Sequence, residues 1–326
     1  MALTTKESSI TTVGGPIPSS SLGFCHSHEH LFIADGQPSK VNSALRLDDF
    51  DKTVEELILY KKVGSVSIVD AQPIGCGRIA TYQVEASKKT GINIIASTGF
   101  HKLIFYPYGH WIHSISQDAL TEIFISELSL GMYTNADCEL PSKRISALPG
   151  IIKTASDVDG VVETYKKLFA AAAEASVNTG TPILSHTEMG KGAFEQIQAF
   201  TDHGVPVDSI IICHLDRTLI DISYHLEVAQ TGVYMEYDTI GRFKYHSDED
   251  EAKFILKMVS HGFENNILIG LDTTRERMKS YGGKIGLDYI QSTFIPLLKR
   301  YGLKSEVIKK IVIDNPARAF SNYRKV

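Results

Sequence analysis

Three histidines alternate with other residues near the start of the chain, in the segment GFCHSHEHLF. Because alternate side chains of a β-strand share a face, an extended segment would turn His26, His28 and His30 the same way and Glu29 the other way. Neutral imidazole is the commonest metal ligand, so the spacing favours a metal site over a group of hydrogen-bonded core histidines. Glu29 is expected to be structural.

Four more side chains that suit a metal site follow or end other apolar, β-branched runs. They are Lys153 in PGIIKTA, His186 in PILSHTE, His214 in SIIICHL and Asp272 in ILIGLD. Each alone has an ordinary explanation, since a strand-end Asp often caps the next helix and a strand-end His often bonds a carbonyl group. Their joint occurrence with His28 and His30 predicts one shared site.

Lys153 is the exception in this group, because an ammonium group repels cations. A lysine at a strand end can simply extend its ammonium group to solvent. Beside two metal ions the uncharged amine is favoured, and it can react with carbon dioxide to give a carbamate. The two carbamate oxygens could then bridge two ions.

Eight short strand-like runs alternate with helical segments such as DDFDKTVEELILYKKVG. The runs cover residues 22–28, 65–71, 92–98, 149–155, 182–188, 209–215, 233–238 and 267–272. This alternation predicts an α/β fold with a parallel sheet, and eight units predict a closed (β/α)8 TIM barrel, with a doubly wound open sheet as the alternative. A barrel would bring the six candidate ligands to one mouth, at the C-terminal ends of the strands.

The composition is that of a globular protein, with 43% hydrophobic and 22% charged residues among 326. We find no repeat or linker and expect a single domain over residues 1–326. Residues 101–146 would form a long excursion, a connecting segment between the third and fourth strands. The net charge of -5 gives no basic surface for nucleic acid, so the expected partner is a small molecule. Whether the chain forms a homodimer stays open.

No segment resembles a signal peptide or a membrane span, which predicts a cytoplasmic protein without a membrane partner. The four cysteines lack zinc-finger or disulfide spacing. Strand alternation predicts that Cys25 and Cys213 face the helices rather than the histidines.

The sequence resembles the phosphotriesterase family of the amidohydrolase superfamily. The resemblance rests on six ordered motifs: SLGFCHSHEHLF, PGIIKTA, ILSHTE, ICHLDRT, ILIGLD and IDNPARAF. It implies a (β/α)8 TIM barrel of the amidohydrolase type with two divalent metal ions, usually zinc, with manganese or cobalt as alternatives. It also implies hydrolysis by a hydroxide that bridges the two ions.

The resemblance also assigns roles to individual residues. His28, His30 and Asp272 would bind the buried ion, His186 and His214 the exposed ion, and N6-carboxylated Lys153 would bridge both. Asp272 would also be the catalytic proton acceptor. Two positions depart from the family pattern: His26 replaces an apolar residue, and His101 replaces an aromatic residue that related lactonases place near the substrate.

The loops after the last two strands are rich in cations. The candidate substrate-binding residues there are Arg242, Lys244, Arg275, Lys279 and Tyr281. They can be solvated loop residues, but barrels often bind phosphate in these loops, and the pattern resembles the family branch that opens phosphorylated sugar lactones. The favoured substrate is a phosphorylated aldono-1,4-lactone. A phosphotriesterase, an unphosphorylated-lactone hydrolase and a catalytically silent metal-binding barrel are the alternatives.

Overall fold

A computed structural model describes residues 8–323 of the chain. The strands are β1 (Ser9–Thr12), β2 (Gly15–Pro18), β3 (Cys25–Glu29), β4 (Ser67–Asp70), β5 (Asn93–Ile95), β6 (Ser97–Gly99), β7 (Ile151–Ala155), β8 (Ile183–His186), β9 (Ile210–Cys213), β10 (Tyr234–Tyr237) and β11 (Ile267–Ile269). The eight predicted runs each overlap a strand, and the run at 92–98 overlaps both β5 and β6.

Helices follow the strands in the predicted order. They are α1 (Gln37–Val41), α2 (Phe50–Lys62), α3 (Ala80–Thr90), α4 (Trp111–Ser114), α5 (Gln117–Leu130), α6 (Glu163–Thr179), α7 (Ala193–Thr201), α8 (Ile222–Gln230), α9 (Asp248–Ser260), α10 (Ile295–Arg300), α11 (Ser305–Lys309) and α12 (Asn315–Ala319). Two π-helical turns, Ile290–Phe294 and Lys310–Asp314, precede α10 and α12. The excursion between β6 and β7 carries α4 and α5.

Parallel pairing runs from β3 through β4 to β5, and from β6 through β7, β8, β9 and β10 to β11. A single residue, Ala96, separates β5 from β6. On the other side, the Asp272 N–H donates to the His28 carbonyl at 3.0 Å, and the Ser27 hydroxyl donates to the Ile269 carbonyl at 2.8 Å. These bonds join β11 to β3, so the strands form the TIM barrel that the sequence predicts.

Alternation along the strands separates two cores. Residues such as Ile151, Leu184 and Ile211 pack inside the barrel, whereas their neighbours Ile152 and Ile183 pack against the helices. Lys153 follows Ile151 by two residues and therefore also points inward. The interior apolar cluster ends below the mouth, where buried polar side chains take over.

The histidine strand departs from regular alternation. The register of β3 against β4 shifts between His26 and Glu29, as in a β-bulge. His26 consequently turns outward, where its ring lies 4.6 Å from the ring of Tyr60 and its Nδ1 lies 2.7 Å from Glu29 Oε1. The prediction that all three histidines share a face is therefore wrong for His26.

The prediction for the two cysteines is also wrong. Cys25 and Cys213 belong to the cluster inside the barrel rather than to the layer under the helices. Cys213 and His214 can both face the interior because His214 has a left-handed backbone, with φ of 63°. A regular strand would have turned one of them outward.

Among the described residues, no helix is long and apolar enough to cross a membrane.

Candidate metal centre and active site

The first group of candidate ligands lies where β3 and β11 meet. The ligand atoms of His28, His30 and Asp272 all lie within 4.8 Å of one another, and the three residues are buried. His30 Nε2 is 3.4 Å from Asp272 Oδ1. The other ring nitrogen of His30, Nδ1, is buried without a hydrogen-bond partner in the described part of the chain. Such an arrangement of two imidazoles and a carboxylate suits a divalent cation.

The second group adds His186 from the end of β8 and His214 from the residue after β9. Their ring centroids are 4.3 Å apart, and the His214 ring lies 4.9 Å from the His28 ring. The register pairs His186 with Cys213 across β8 and β9, so both strands deliver their histidines at the same height. The two groups of ligands therefore form one continuous site.

Buried carboxylates orient two of these histidines. The Nδ1 of His28 is 2.7 Å from Glu236 Oε2, and the Nδ1 of His214 is 2.7 Å from Asp238 Oδ1. A carboxylate that accepts a hydrogen bond from Nδ1–H leaves the Nε2 lone pair free for a metal ion. Both carboxylates come from β10 or its end, and the sequence analysis did not single them out.

Lys153 lies between the two groups and is fully buried. Its Nζ is 3.3 Å from His28 Nε2 and 3.9 Å from Cys213 Sγ. No ion pair identified among residues 8–323 gives this amine a carboxylate partner. An unpaired ammonium in such a place is unfavourable, whereas a carbamate between two cations is not. Gly99 permits this packing, because a side chain there would collide with the Lys153 backbone.

The electrostatics favour neutral imidazoles. Burial lowers the pKa of His28, and it lowers the pKa values of His186 and His214 well below the ordinary value, with Lys153 or Arg217 adding to the effect. Only an imidazole with a free lone pair can bind a metal ion, so this protonation state is the one that ligation requires.

Asp272 divides its two oxygens between the ligands and two arginines. Oδ1 faces His30, while Oδ2 is 3.1 Å from Arg217 Nη2 and 3.0 Å from Arg242 Nη2. Burial alone would raise the pKa of Asp272, but these guanidinium groups and His30 hold it well below its usual value. The φ of 48° at Asp272 places the residue in the left-handed region, which is uncommon outside glycine and frequent at functional sites.

Arg217 is a residue of this site that the sequence analysis missed. It follows His214 in the segment HLDRT, and that closeness to a candidate ligand was the available signal. Its side chain is 8% exposed and also approaches Glu188 Oε1 at 3.6 Å. Glu188 in turn accepts a bond from Lys102 Nζ at 2.7 Å. These charges form the wall of the mouth beside His186.

Two of the predicted substrate-binding residues lie directly at the ligands. Arg242 contacts Asp272, as described above. The ring of His101 lies 5.4 Å from that of His186 and 6.4 Å from that of His30.

Lys244 lies further out, in the loop after β10. It is exposed and lines a cavity of about 640 Å³ together with Arg217, Tyr245 and His246. Through Arg217 this cavity adjoins the ligand set, because the same arginine contacts Asp272. Lys244 therefore contributes a positive charge to a cleft that adjoins the candidate metal site.

The three remaining candidates lie in the loop after β11, and their contacts are with one another, with the start of α2 or with Asp288. The Arg275 guanidinium lies 5.5 Å from the Tyr281 ring centroid. The Tyr281 hydroxyl bonds to Thr53 Oγ1 and to the Asp49 carbonyl, both at 2.9 Å. Lys279 Nζ lies 2.6 and 2.7 Å from the two carboxylate oxygens of Asp288.

Glu29 lies behind the site, where it binds backbone rather than metal ligands. It accepts bonds from the backbone N–H groups of Leu271 and Thr273, at 2.9 and 3.1 Å, and from the Thr273 hydroxyl at 2.6 Å. Although burial opposes the shift, the bonds from His26 and Thr273 lower the pKa of Glu29. This carboxylate fixes the turn that carries Asp272, which agrees with the structural role expected of it.

A family model named "Phosphotriesterase family" matches residues 8–320. The chain belongs to the phosphotriesterase family. A phospho-furanose lactonase from Mycoplasmopsis synoviae is 32% identical over 95% of this chain and 91% of its own. An amidohydrolase structure from Mycoplasma synoviae has a TM-score of 0.94 and 30% identity, over 98% of this chain and 94% of that one. A lactonase structure from Listeria monocytogenes has a TM-score of 0.89 and 30% identity, over 97% and 100%.

These phosphotriesterase-family relatives identify the chain as a hydrolase that acts on ester bonds. They also bear out the resemblance drawn from the six motifs. Family membership and the clustered ligands together support metal dependence.

Proposed function

We propose that this protein is a binuclear-metal lactonase that opens a phosphorylated aldono-1,4-lactone. The observation that carries the proposal is the buried ligand set, with four imidazoles, Asp272 and a Lys153 that has no carboxylate partner among the described residues, in one continuous site. The phosphorylated substrate rests on the cations of the adjoining loops and on the relatives, one of which is a phospho-furanose lactonase.

The residues present fit two divalent ions. His28, His30 and Asp272 would hold one ion, His186 and His214 the other, and Lys153, carboxylated on Nζ, would contact both. When bound, two zinc ions, or manganese or cobalt ions, would supply a water molecule that is deprotonated near neutral pH and would polarise the lactone carbonyl. Lys153, which is buried without a carboxylate partner among the described residues, supports this assignment.

Asp272 is the proposed carrier of the proton. Its carboxylate accepts the proton of the attacking water and gives it to the ring oxygen as the C–O bond of the lactone breaks. Arg217 and Arg242 make Asp272 a weak base, and for the same reason they make protonated Asp272 a strong acid. This environment favours rapid onward transfer to the alkoxide that leaves.

The loop cations are proposed to hold the substrate phosphate. Lys244 and Arg275 would bind the phosphate, and Arg242 and His101 would contact the part of the substrate nearer the ligands. Guanidinium and ammonium groups suit a phosphate dianion, because charge-assisted hydrogen bonds to phosphate are strong. An organophosphate triester offers these cations no anionic group, so the proposal ranks the triester and the unphosphorylated lactone below the phosphorylated lactone.

A kinetic panel tests the proposal. Metal-loaded enzyme is assayed with aldono-1,4-lactone 5-phosphates of several sugars, with the same lactones lacking phosphate, and with an aryl dialkyl phosphotriester. We expect the highest kcat/KM for a phosphorylated lactone. Equal kcat/KM with and without phosphate would favour an unphosphorylated-lactone hydrolase, and a preference for the triester would favour a phosphotriesterase. No turnover on any ester despite a full metal complement would favour a silent metal-binding barrel.

A further inference from the structure

A second group of side chains that could bind a metal ion lies outside the ligand set described above. Asp216 follows β9, His246 lies in the loop after β10, and Glu251 lies in the first turn of α9. Their ligand atoms all lie within 4.8 Å of one another. Asp216 and Glu251 are fully buried. The proposed lactonase chemistry uses none of the three.

The carboxylates of this group are short of hydrogen-bond donors. Asp216 Oδ2 accepts bonds from the Thr239 N–H at 2.6 Å and from the Thr239 hydroxyl at 2.7 Å. The other Asp216 oxygen and both Glu251 oxygens are buried with no hydrogen-bond partner among the described residues. His246 Nδ1 approaches Glu251 Oε2 only to 3.7 Å. Buried carboxylate oxygens without partners are strongly unfavourable, so a positive species belongs between them.

The nearby arginines do not supply that charge. Arg217 and Arg242 contact Asp272. Arg277 donates to the backbone carbonyls of Leu271 and Ile240. Two further carboxylates, Asp238 and Asp248, add negative charge to the surroundings of Glu251. The region therefore carries an excess of buried negative charge.

We propose that Asp216, Glu251 and His246 form an additional binding site for a divalent transition-metal cation. A proton shared between the two carboxyl groups would join only one oxygen of each and leave the other Glu251 oxygen unpartnered. A cation held by Asp216 Oδ1, by both oxygens of Glu251 and by His246 satisfies all three oxygens. An imidazole among carboxylates selects Mn²⁺ or Zn²⁺ over Mg²⁺ or Ca²⁺, which prefer oxygen ligands.

The site borders a cavity and has a structural consequence. Of the three residues, His246 lines the cavity of about 640 Å³, whereas the two carboxylates lie behind it. A bound ion would tie α9 to the end of β9, two residues after His214, and to the end of β10 through Thr239, whose hydroxyl is 3.3 Å from His246 Nε2. It would stabilise the wall behind the active site without taking part in hydrolysis.

The test compares metal content between wild type and Glu251→Gln. Both are saturated with Mn²⁺, passed through a desalting column and analysed for manganese per chain. We expect wild type to hold one ion more than the variant, with lactone turnover retained in both. Glu249→Gln is the control, because Glu249 is exposed on the same helix turn and pairs with Arg300; it should hold as much manganese as wild type.

Two further measurements make the result decisive. His246→Asn removes a ligand from a partly exposed position and should also lose one ion, which covers the case in which Glu251→Gln does not fold. A wild-type crystal grown with Mn²⁺ should show an anomalous peak between Asp216 and Glu251. Equal manganese content in all variants, or peaks at the lactonase ligands alone, would overturn the inference and leave a shared proton. Because the difference between variants is measured, the outcome does not depend on how many ions the lactonase site holds.

Discussion

The ligand set and the cationic loops differ in how their side chains are held. The ligands come from strand ends that share one parallel register, and buried carboxylates such as Glu236 and Asp238 fix two of them. The loop cations Lys244, Arg275 and Lys279 lie on segments after β10 and β11, and their observed partners are local, as in the pair of Lys279 with Asp288. Under the proposed function, the barrel fixes the reaction, whereas the loops determine the substrate.

This difference predicts a gradient of mutational effects. A change among the buried ligands should abolish hydrolysis of every substrate. A change in the loop cations should affect only substrates that carry the anion those cations bind, because remote binding energy orients the reacting group.

Lys153→Ala should reduce turnover to background on all esters. The variant removes the proposed bridging carbamate and leaves a cavity between His28 and Cys213. Propionate, a short carboxylate that can enter this cavity, should restore part of the activity and of the metal content, whereas the neutral propionamide should not. Activity assays and metal analysis with each additive provide the measurement. Full activity in the unsupplemented variant would remove Lys153 from the site.

Asp272→Asn should lower kcat by about two to four powers of ten, the usual range for loss of an acid-base group. The amide can still offer an oxygen on the side of His30, but it cannot accept a proton. Metal analysis should show more metal retained than in His30→Ala, which removes a ligand outright. Turnover close to wild type in Asp272→Asn would show that another group carries the proton.

The convergence of the six candidate ligands was predictable from sequence because it depends on strand order and strand ends. His28, His30, Lys153, His186, His214 and Asp272 each follow or end an apolar run, and a parallel barrel must bring such positions to one mouth. Regular alternation breaks at His26, where a β-bulge shifts the register. It breaks again at Cys213, because His214 adopts a left-handed backbone. Neither feature has a reliable signal in a single sequence.

The surroundings of the ligands were less predictable, because they depend on contacts between distant segments. Glu236 lies 208 positions from His28 in the sequence. Its role as a hydrogen-bond partner of His28 can be recognised only when the position of β10 in the barrel is known. Arg217 was missed because an arginine after a strand is usually solvated, and only the geometry shows its contact with Asp272. Lys279 was included as a loop cation, although its partner Asp288 could not be anticipated.

Lys244→Met and Arg275→Met should separate the two classes of substrate. Each change should lower kcat/KM on phosphorylated lactones by about one to two powers of ten, since a charge-assisted hydrogen bond contributes roughly 1.5 to 3 kcal/mol. Hydrolysis of the unphosphorylated lactones should stay close to wild type. Parallel kinetics on matched substrate pairs provide the measurement. Equal losses on both members of a pair would mean that these residues support the loops rather than bind phosphate.

Lys279→Met should have the smallest effect, although the lysine belongs to the same cationic loop as Arg275. Its ammonium group already lies within 2.6 and 2.7 Å of the two Asp288 oxygens, so binding a phosphate would require this ion pair to open. The pair is partly exposed, and such pairs contribute about 0 to 1 kcal/mol to stability. We therefore expect kcat/KM to change by less than about threefold on both members of each substrate pair, a change that would correspond to less than about 0.7 kcal/mol. A loss of a power of ten confined to the phosphorylated lactone would instead place Lys279 with Lys244 and Arg275, and would mean that the substrate phosphate displaces Asp288.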